Sequence, residues 1–250
     1  MPLNPESFTT ADTGYLLVDK PQEWTSHDVV NCIRGRFRLK KVGHCGTLDP
    51  LATGVLVIVT GKATKVSSYL TADSKVYQAT LTLGADTDSH DSEGQITEEF
   101  DWSHVTEEQV CEVIESFHGE QDQIPPMVSA IKKGGKKLYD LARKGIEVER
   151  EPRRINIPTI TVDSIDLPNI TFTAECSKGT YIRVLCYDIA KKLKTGGHMT
   201  ALRRTKSGRF NIEDAHTMDE IKSWEQEKIY SELTPVLDIV HEINAAEADA

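Results

Sequence analysis

The chain has 250 residues, 38% of them hydrophobic, with a formal net charge of −10 at pH 7. No stretch approaches the ~20 apolar residues of a membrane span, and the opening MPLNPESFTTADTG lacks the basic-then-apolar pattern of a secretory or transit peptide, so a soluble, cytoplasmic chain with a real core is expected. Five cysteines (Cys32, Cys45, Cys111, Cys176, Cys186), odd in number and without a CxxC pair, argue against a disulfide framework and a zinc site.

Charge is segregated along the chain. Residues 84–123 hold 13 acidic side chains and no Lys or Arg, and residues 211–250 hold 11 acidic against 2 basic. Residues 176–210 instead carry nine basic side chains against Asp188 alone, and residues 131–154 nine basic against four acidic. Basic stretches on an acidic chain suit a phosphate-backbone footprint, because binding follows local potential. They suit a solvated Lys/Arg face equally well.

In chain order, GYLLVDKP reads as a buried strand that stops at Pro21. Thr25 or Ser26 caps a helix with Val29, Val30, Ile33 and Phe37 at helical spacing. VGHCGTLDPLATG is a polar loop, followed by the β-branched strand VLVIVTG. Lys75 to Leu83 alternates as a strand with Tyr77, Ala79, Leu81 and Leu83 on one face. Thr106 and Gln109 form a capping box ahead of Val110, Val113, Ile114 and Phe117. QIPPMVSAIKKGGKKLYDLARKG is a stiff turn followed by a protruding basic loop, spanning about residues 124–152. ITVDSIDL and ITFTAEC pair across Pro168-Asn169, and Thr180 leads a helix with Ile182, Leu185, Ile189 and Leu193 on one face. Paired strands separated by helices, without regular βα alternation, predict an α+β fold around a mixed, mostly antiparallel sheet.

Asp49 stands between Leu48 and Pro50, in a loop that leads into a buried strand and could hold its carboxylate at a cleft edge. Asp-Pro is also an ordinary turn initiator. Beyond what composition and periodicity supply, GHCGTLDPLATGVL resembles the signature of the TruB family of tRNA pseudouridine synthases. The likeness continues through GYLLVDKPQEWTSHDVV, KVYQATLTLGADTDSHDSEG, QIPPMVSAIKKGGKKLYDLARKG, CSKGTYIRVLCYDIAKKL and LRRTKSGRF, covering roughly residues 12 to 215.

This resemblance implies a catalytic domain over residues 12–215, after an N-terminal extension (1–11); many family members continue into a small RNA-binding domain of the PUA type, whereas residues 216–250 here read as an acidic, alanine-rich segment with no room expected for one. It implies isomerisation of uridine 55 in the T arm of tRNA by a monomer without cofactor or metal. Asp49 matches the catalytic nucleophile, Arg183 the arginine that pairs with it, and Tyr77 the tyrosine against the target base. His44 matches a histidine contacting RNA where the base leaves its stack, Tyr181 and Leu202 line the uridine pocket, and Lys20 and Pro21 lie near its floor. Lys132, Lys133, Lys136 and Lys137 of the basic loop, with Arg203 and Arg204, are expected on the RNA backbone. Three positions depart from the family pattern: Val128 replaces an aromatic, and Ala190 and Lys194 replace glycines.

Two other readings belong to different classes. Asp86, Asp88, His90, Asp91 and Glu93 are dense enough in carboxylates to suggest a calcium or magnesium site, although His90 and Asp91 break the EF-hand pattern. The chain could also bind and help fold tRNA without modifying it, though binding alone needs no buried carboxylate–arginine pair.

Overall fold

In the computed structural model, which describes residues 2–71, 74–127, 129, 146 and 148–248 with the backbone of 132–133 and 136–137, the apolar run before Pro21 forms β1 (Gly14–Lys20). Proline offers no N–H to continue a ladder, so the strand stops there. Helix α1 (Ser26–Arg36) begins at Thr25, whose side chain accepts from the Asp28 amide while the Asp28 carboxylate accepts from the Thr25 amide. Two orphan donors are satisfied at once, and Val29, Val30 and Ile33 turn inward.

β2 (Val42–Cys45) then pairs antiparallel with β3 (Thr53–Thr60), His44 opposite Ile58. The sequence reading takes β2 as loop, because four residues containing a glycine show no alternation. α2 (Ser67–Thr71) leads to β4 (Lys75–Leu83), where Ala79, Leu81 and Leu83 are buried at every second position. β5 (Ala85–Thr87) and β6 (Ile96–Glu99) form a hairpin. The expected capping box at Thr106 and Gln109 opens α3 (Glu107–Glu115).

β7 (Gly119–Gln123) pairs with β10 (Arg153–Ile157), Gln123 opposite Arg153. Between them β8 (Lys132–Lys133) and β9 (Lys136–Lys137) run antiparallel. Much of the expected basic loop, with Val128 and residues 138–145, lies outside the described residues. β11 (Thr159–Asp166) and β12 (Asn169–Cys176) pair across Leu167-Pro168, Asp166 opposite Asn169. The chain continues through α4 (Ile182–Lys192), β13 (Gly197–Ser207), β14 (Phe210–Asn211), β15 (His216–Thr217), α5 (Met218–Ser223), α6 (Lys228–Glu232) and α7 (Leu237–Ala248). Both parallel and antiparallel pairings occur, as expected of a mixed sheet.

These elements form two compact units, residues 1–75 with 203–250, and residues 76–202. In the first, β1 lies between antiparallel β3 and parallel β15. Its core joins Leu17, Val55, Val57 and Val59 to Phe8 from the N-terminus and to Val236, Ile239 and Val240 from the C-terminus. Each such side chain contributes about 1.5–3 kcal/mol on burial. Residues read as an N-terminal extension and an acidic C-terminal segment are therefore structural members of this unit. In the second unit β12 lies between β11 and β4, β4 neighbours β13, and α3 packs on β11 and α4. Among the described residues no helix is long and apolar enough to cross a membrane.

Two of the departures from the family pattern have local explanations. A Cβ on Gly197 would lie 2.6 Å from that of Ala190, so the extra methyl at 190 is accommodated because residue 197 has none. Lys194 occupies the left-handed region, φ 61°, as the residue beyond the α4 C-cap. The Thr195 amide donates to Ala190 O at 3.1 Å and the Lys194 amide to Lys191 O at 3.0 Å, the double bond pattern that usually ends in glycine. Lys194→Gly is expected to raise stability by about 0.5–1 kcal/mol, seen as a higher urea midpoint with unchanged slope.

Candidate active site

In the first unit the geometry centres on the loop carrying Asp49. Ser26, the first residue of α1 and 2% exposed, accepts from the Leu48 amide at 2.8 Å and donates to the Leu48 carbonyl at 3.2 Å. Lys20, the last residue of β1, is 0% exposed, and its ammonium donates to Pro21 O (2.8 Å), Trp24 O (2.5 Å) and Pro50 O (3.3 Å). The Glu23 amide reaches the same Pro50 carbonyl at 2.9 Å. Both neighbours of Asp49 are thus tied to β1 and the start of α1. The Ala52 amide closes the turn on Asp49 O at 3.1 Å, leaving the half-buried Asp49 side chain on a rigid support.

Arg204 fixes the loop's flanks, and here an expectation is corrected. The family resemblance puts it on the RNA backbone, but it is 1% exposed, with Nε donating to Val55 O at 2.8 Å and Nη2 to Gly46 O at 3.1 Å. A guanidinium covered this completely reaches no phosphate; it clamps the loop at both ends. Gly54, φ 106°, makes room for that strand contact, since a Cβ there would lie 2.2 Å from Arg204 O. Arg203 is half-buried and grips Asp19 with both terminal nitrogens, at 3.1 and 2.8 Å. His44 is half-buried on β2, its pKa pushed down by burial first and then by the Arg204 and His27 charges. Its buried Nδ1 has no hydrogen-bond partner among the described residues.

Tyr77, Tyr181, Arg183 and Leu202 belong to the second unit. Tyr77 is half-buried on β4, and Leu202 is 8% exposed at the end of this unit's share of β13. Tyr181 is the N-cap of α4, its ring centre 5.9 Å from the Arg183 guanidinium carbon. Arg183 Nη1 lies 3.3 Å from Asp91 Oδ2, with the two side chains 6% and 2% exposed. Asp91 is oriented in turn by Ser89 Oγ (2.5 Å) and the Glu93 amide (3.1 Å), both on Oδ1.

Sequence reading misses Asp91 as a partner of Arg183, because it is one of 13 acidic side chains in residues 84–123. Its local signal is Ser-x-Asp-x-Glu, a side chain bonded from both directions along the chain. Asp86 is similarly engaged, accepting from Lys191 Nζ at 2.5 Å and the Gly197 amide at 3.1 Å, while Asp88 accepts from the Gln95 amide at 3.0 Å. The acidic run considered as a metal site is divided among cations and backbone donors. Among the described residues no group of three or more His, Cys, Asp or Glu side chains is arranged to hold a metal ion.

Comparison with known proteins agrees with this arrangement of motifs. Residues 34–182 match the model of the TruB family pseudouridylate synthase N-terminal domain, and residues 183–241 that of the tRNA pseudouridylate synthase B C-terminal domain. A tRNA pseudouridine synthase B of Syntrophotalea carbinolica is 53% identical over 209 residues, covering 84% of this chain and 68% of the relative. One of Opitutus terrae is 44% identical over 223 residues, covering 89% of this chain and 92% of the relative. Among solved structures, a chain of a Cbf5-Nop10-Gar1 complex superposes with a TM-score of 0.69 at 30% identity, over 93% of this chain and 62% of that one. A chain of an H/ACA RNP bound to a substrate RNA containing 2'-deoxyuridine gives a TM-score of 0.65 at 28% identity, covering 89% of this chain and 59% of that one. The chain thus spans about three fifths of those solved chains.

Removing the Ser26 hydroxyl leaves the buried Leu48 amide without the acceptor it has here. Ser26→Ala is expected to cost about 1–3 kcal/mol in chemical denaturation, and to lower turnover further than the lost folded fraction accounts for.

Proposed function

The chain belongs to the TruB family of pseudouridylate synthases, and from that membership we propose that it converts uridine 55 in the T arm of tRNA to pseudouridine, as a cytoplasmic monomer using Asp49 as nucleophile. Isomerisation of uridine to pseudouridine in tRNA is the activity named in its curated relatives. The observation that carries the assignment to Asp49 is the clamp on its loop, with Leu48 tied to Ser26 and Pro50 to Lys20. A carboxylate on such a support meets its substrate without first having to be ordered.

The reaction is redox-neutral and needs no second substrate. The target uridine leaves its stack and enters an enclosed pocket. Attack on the nucleoside lets the C1′–N1 bond break, the base turns while held, C5 bonds to C1′, the bond to the attacking oxygen is released, and the C5 proton leaves as N1 takes up a proton. In this reading Asp49 supplies the attacking oxygen and Arg183 favours its ionised form. Tyr77 lies against the base and accepts the C5 proton, directly or through solvent. Tyr181 and Leu202 wall the pocket; Lys20 and Pro21 support its floor through the Asp49 loop. His44, held neutral by burial, contacts the RNA where the base has departed. Lys132, Lys133, Lys136 and Lys137 meet the phosphates.

A tRNA binder without catalysis remains the rival, and one assay separates the two. Carbodiimide mapping of an unmodified elongator tRNA incubated with the protein in EDTA should show a single new reverse-transcription stop, on the nucleotide immediately 3′ to position 55, which reports an adduct at 55. A uridine-to-cytidine change at that position should abolish the stop. A stop elsewhere would overturn the T-arm assignment; tight binding without any stop would establish the binder.

A further inference from the structure

We infer that Gln123 is a positioning residue for the reaction, setting the main chain of Tyr181 and through it the direction of Arg183. The inference rests on the reading of Tyr181 and Arg183 as site residues. Gln123 is the last residue of β7, 4% exposed, and both ends of its amide are bound to one residue 58 positions away. Its Oε1 accepts from the Tyr181 amide at 2.8 Å and its Nε2 donates to the Tyr181 carbonyl at 3.1 Å. The side chain thereby behaves as a strand neighbour of a single residue. Only one orientation of the amide satisfies both bonds.

Tyr181 needs such a partner. It is the N-cap of α4 but makes no side-chain capping bond, unlike Thr25 and Thr106 at the starts of α1 and α3. Its carbonyl opens the helix by accepting from the Leu185 amide at 3.1 Å. Arg183 follows two residues later, so rotation of the Tyr181 peptide re-aims it relative to Asp91.

The other end of the same loop is tied to the other strand of the pair. The Ser177 amide donates to Asn156 O at 2.8 Å, and the Asn156 amide donates to Ser177 Oγ at 2.9 Å. Glu120 and Arg154 brace that strand pair at 3.0 Å on its exposed side. β7 and β10 together therefore hold residues 177–181 at both ends, and Gln123 is the buried bond at the end nearer Arg183.

The test compares Gln123→Leu and Gln123→Glu with wild type in single-turnover pseudouridylation, with tRNA affinity and unfolding midpoint measured alongside. Gln123→Leu keeps the volume and loses both bonds. It should bind unmodified tRNA within about threefold of wild type while its rate falls roughly 10- to 100-fold. In Gln123→Glu an ionised carboxylate still accepts from the Tyr181 amide but faces the Tyr181 carbonyl without a proton to donate. Its rate relative to wild type should rise as pH falls from about 8 to about 6, because a carboxyl raised by burial regains that donor on protonation. A purely structural role would recover rate only in step with the folded fraction, so the recovery is read where the unfolding midpoint shows the variant fully folded at every pH.

Arg183→Lys is the control. A Gln123→Leu rate equal to wild type, with Arg183→Lys slow, would overturn the inference and leave the site reading standing. Wild-type rates for both would overturn the site reading and the inference with it. Rate and affinity falling together in proportion to the folded fraction, with no pH recovery in Gln123→Glu, would show Gln123 to be structural only.

Discussion

The ammonium of Lys20 is held away from solvent at the end of β1 and bonds three main-chain carbonyls, those of Pro21, Trp24 and Pro50. Removing such a charge from water costs several kcal/mol, so the site persists only while those acceptors converge on it. That requirement couples the strand exit, the approach to α1 and the residue after Asp49. Ser26 repeats the coupling on the residue before Asp49, and Arg204 repeats it at the loop's two flanks. The loop that carries the carboxylate is held from its surroundings inward.

Electrostatics inside the second unit follow the same logic. Asp91 and Asp86 come from a stretch whose charge would repel RNA if it all faced outward, yet they lie against Arg183 and Lys191. A count of charge along the chain therefore overstates both surfaces. Of the basic side chains in residues 176–210, Arg183, Lys191, Arg203 and Arg209 pair with Asp91, Asp86, Asp19 and Glu242, and Arg204 binds carbonyls. Lys178, Lys194 and Lys206 are exposed.

Much of the fold was legible because its cues are local. The strand ending at Pro21, the capping boxes at Thr25 and Thr106, the alternation of β4 and the β11–β12 pair are all set by residues within one element. β2 was not legible, because its stability comes from its ladder with β3 and little in VGHC marks it. The role of the C-terminus was obscured by composition: its acidic residues dominate the count, while Val236, Ile239 and Val240 do the core-forming. At the site, the Asp49 motif was recognisable as a motif, but what steadies it was not. Lys20, Ser26 and Arg204 meet this loop from 29, 23 and 155 residues away, and no periodicity carries that information. Gln123, 58 residues from Tyr181, was hidden for the same reason, and Asp91 by the crowd of acidic side chains around it.

The central claim is that Asp49, on this clamped loop, is the group that attacks the nucleoside. Tritium release from tRNA carrying 5-³H-uridine, under single turnover with enzyme in excess, tests it most directly. Wild-type protein should release tritium in EDTA without added cofactor, and Asp49→Asn, folded and binding tRNA normally, should release none above background. Release by Asp49→Asn at the wild-type rate would contradict the account.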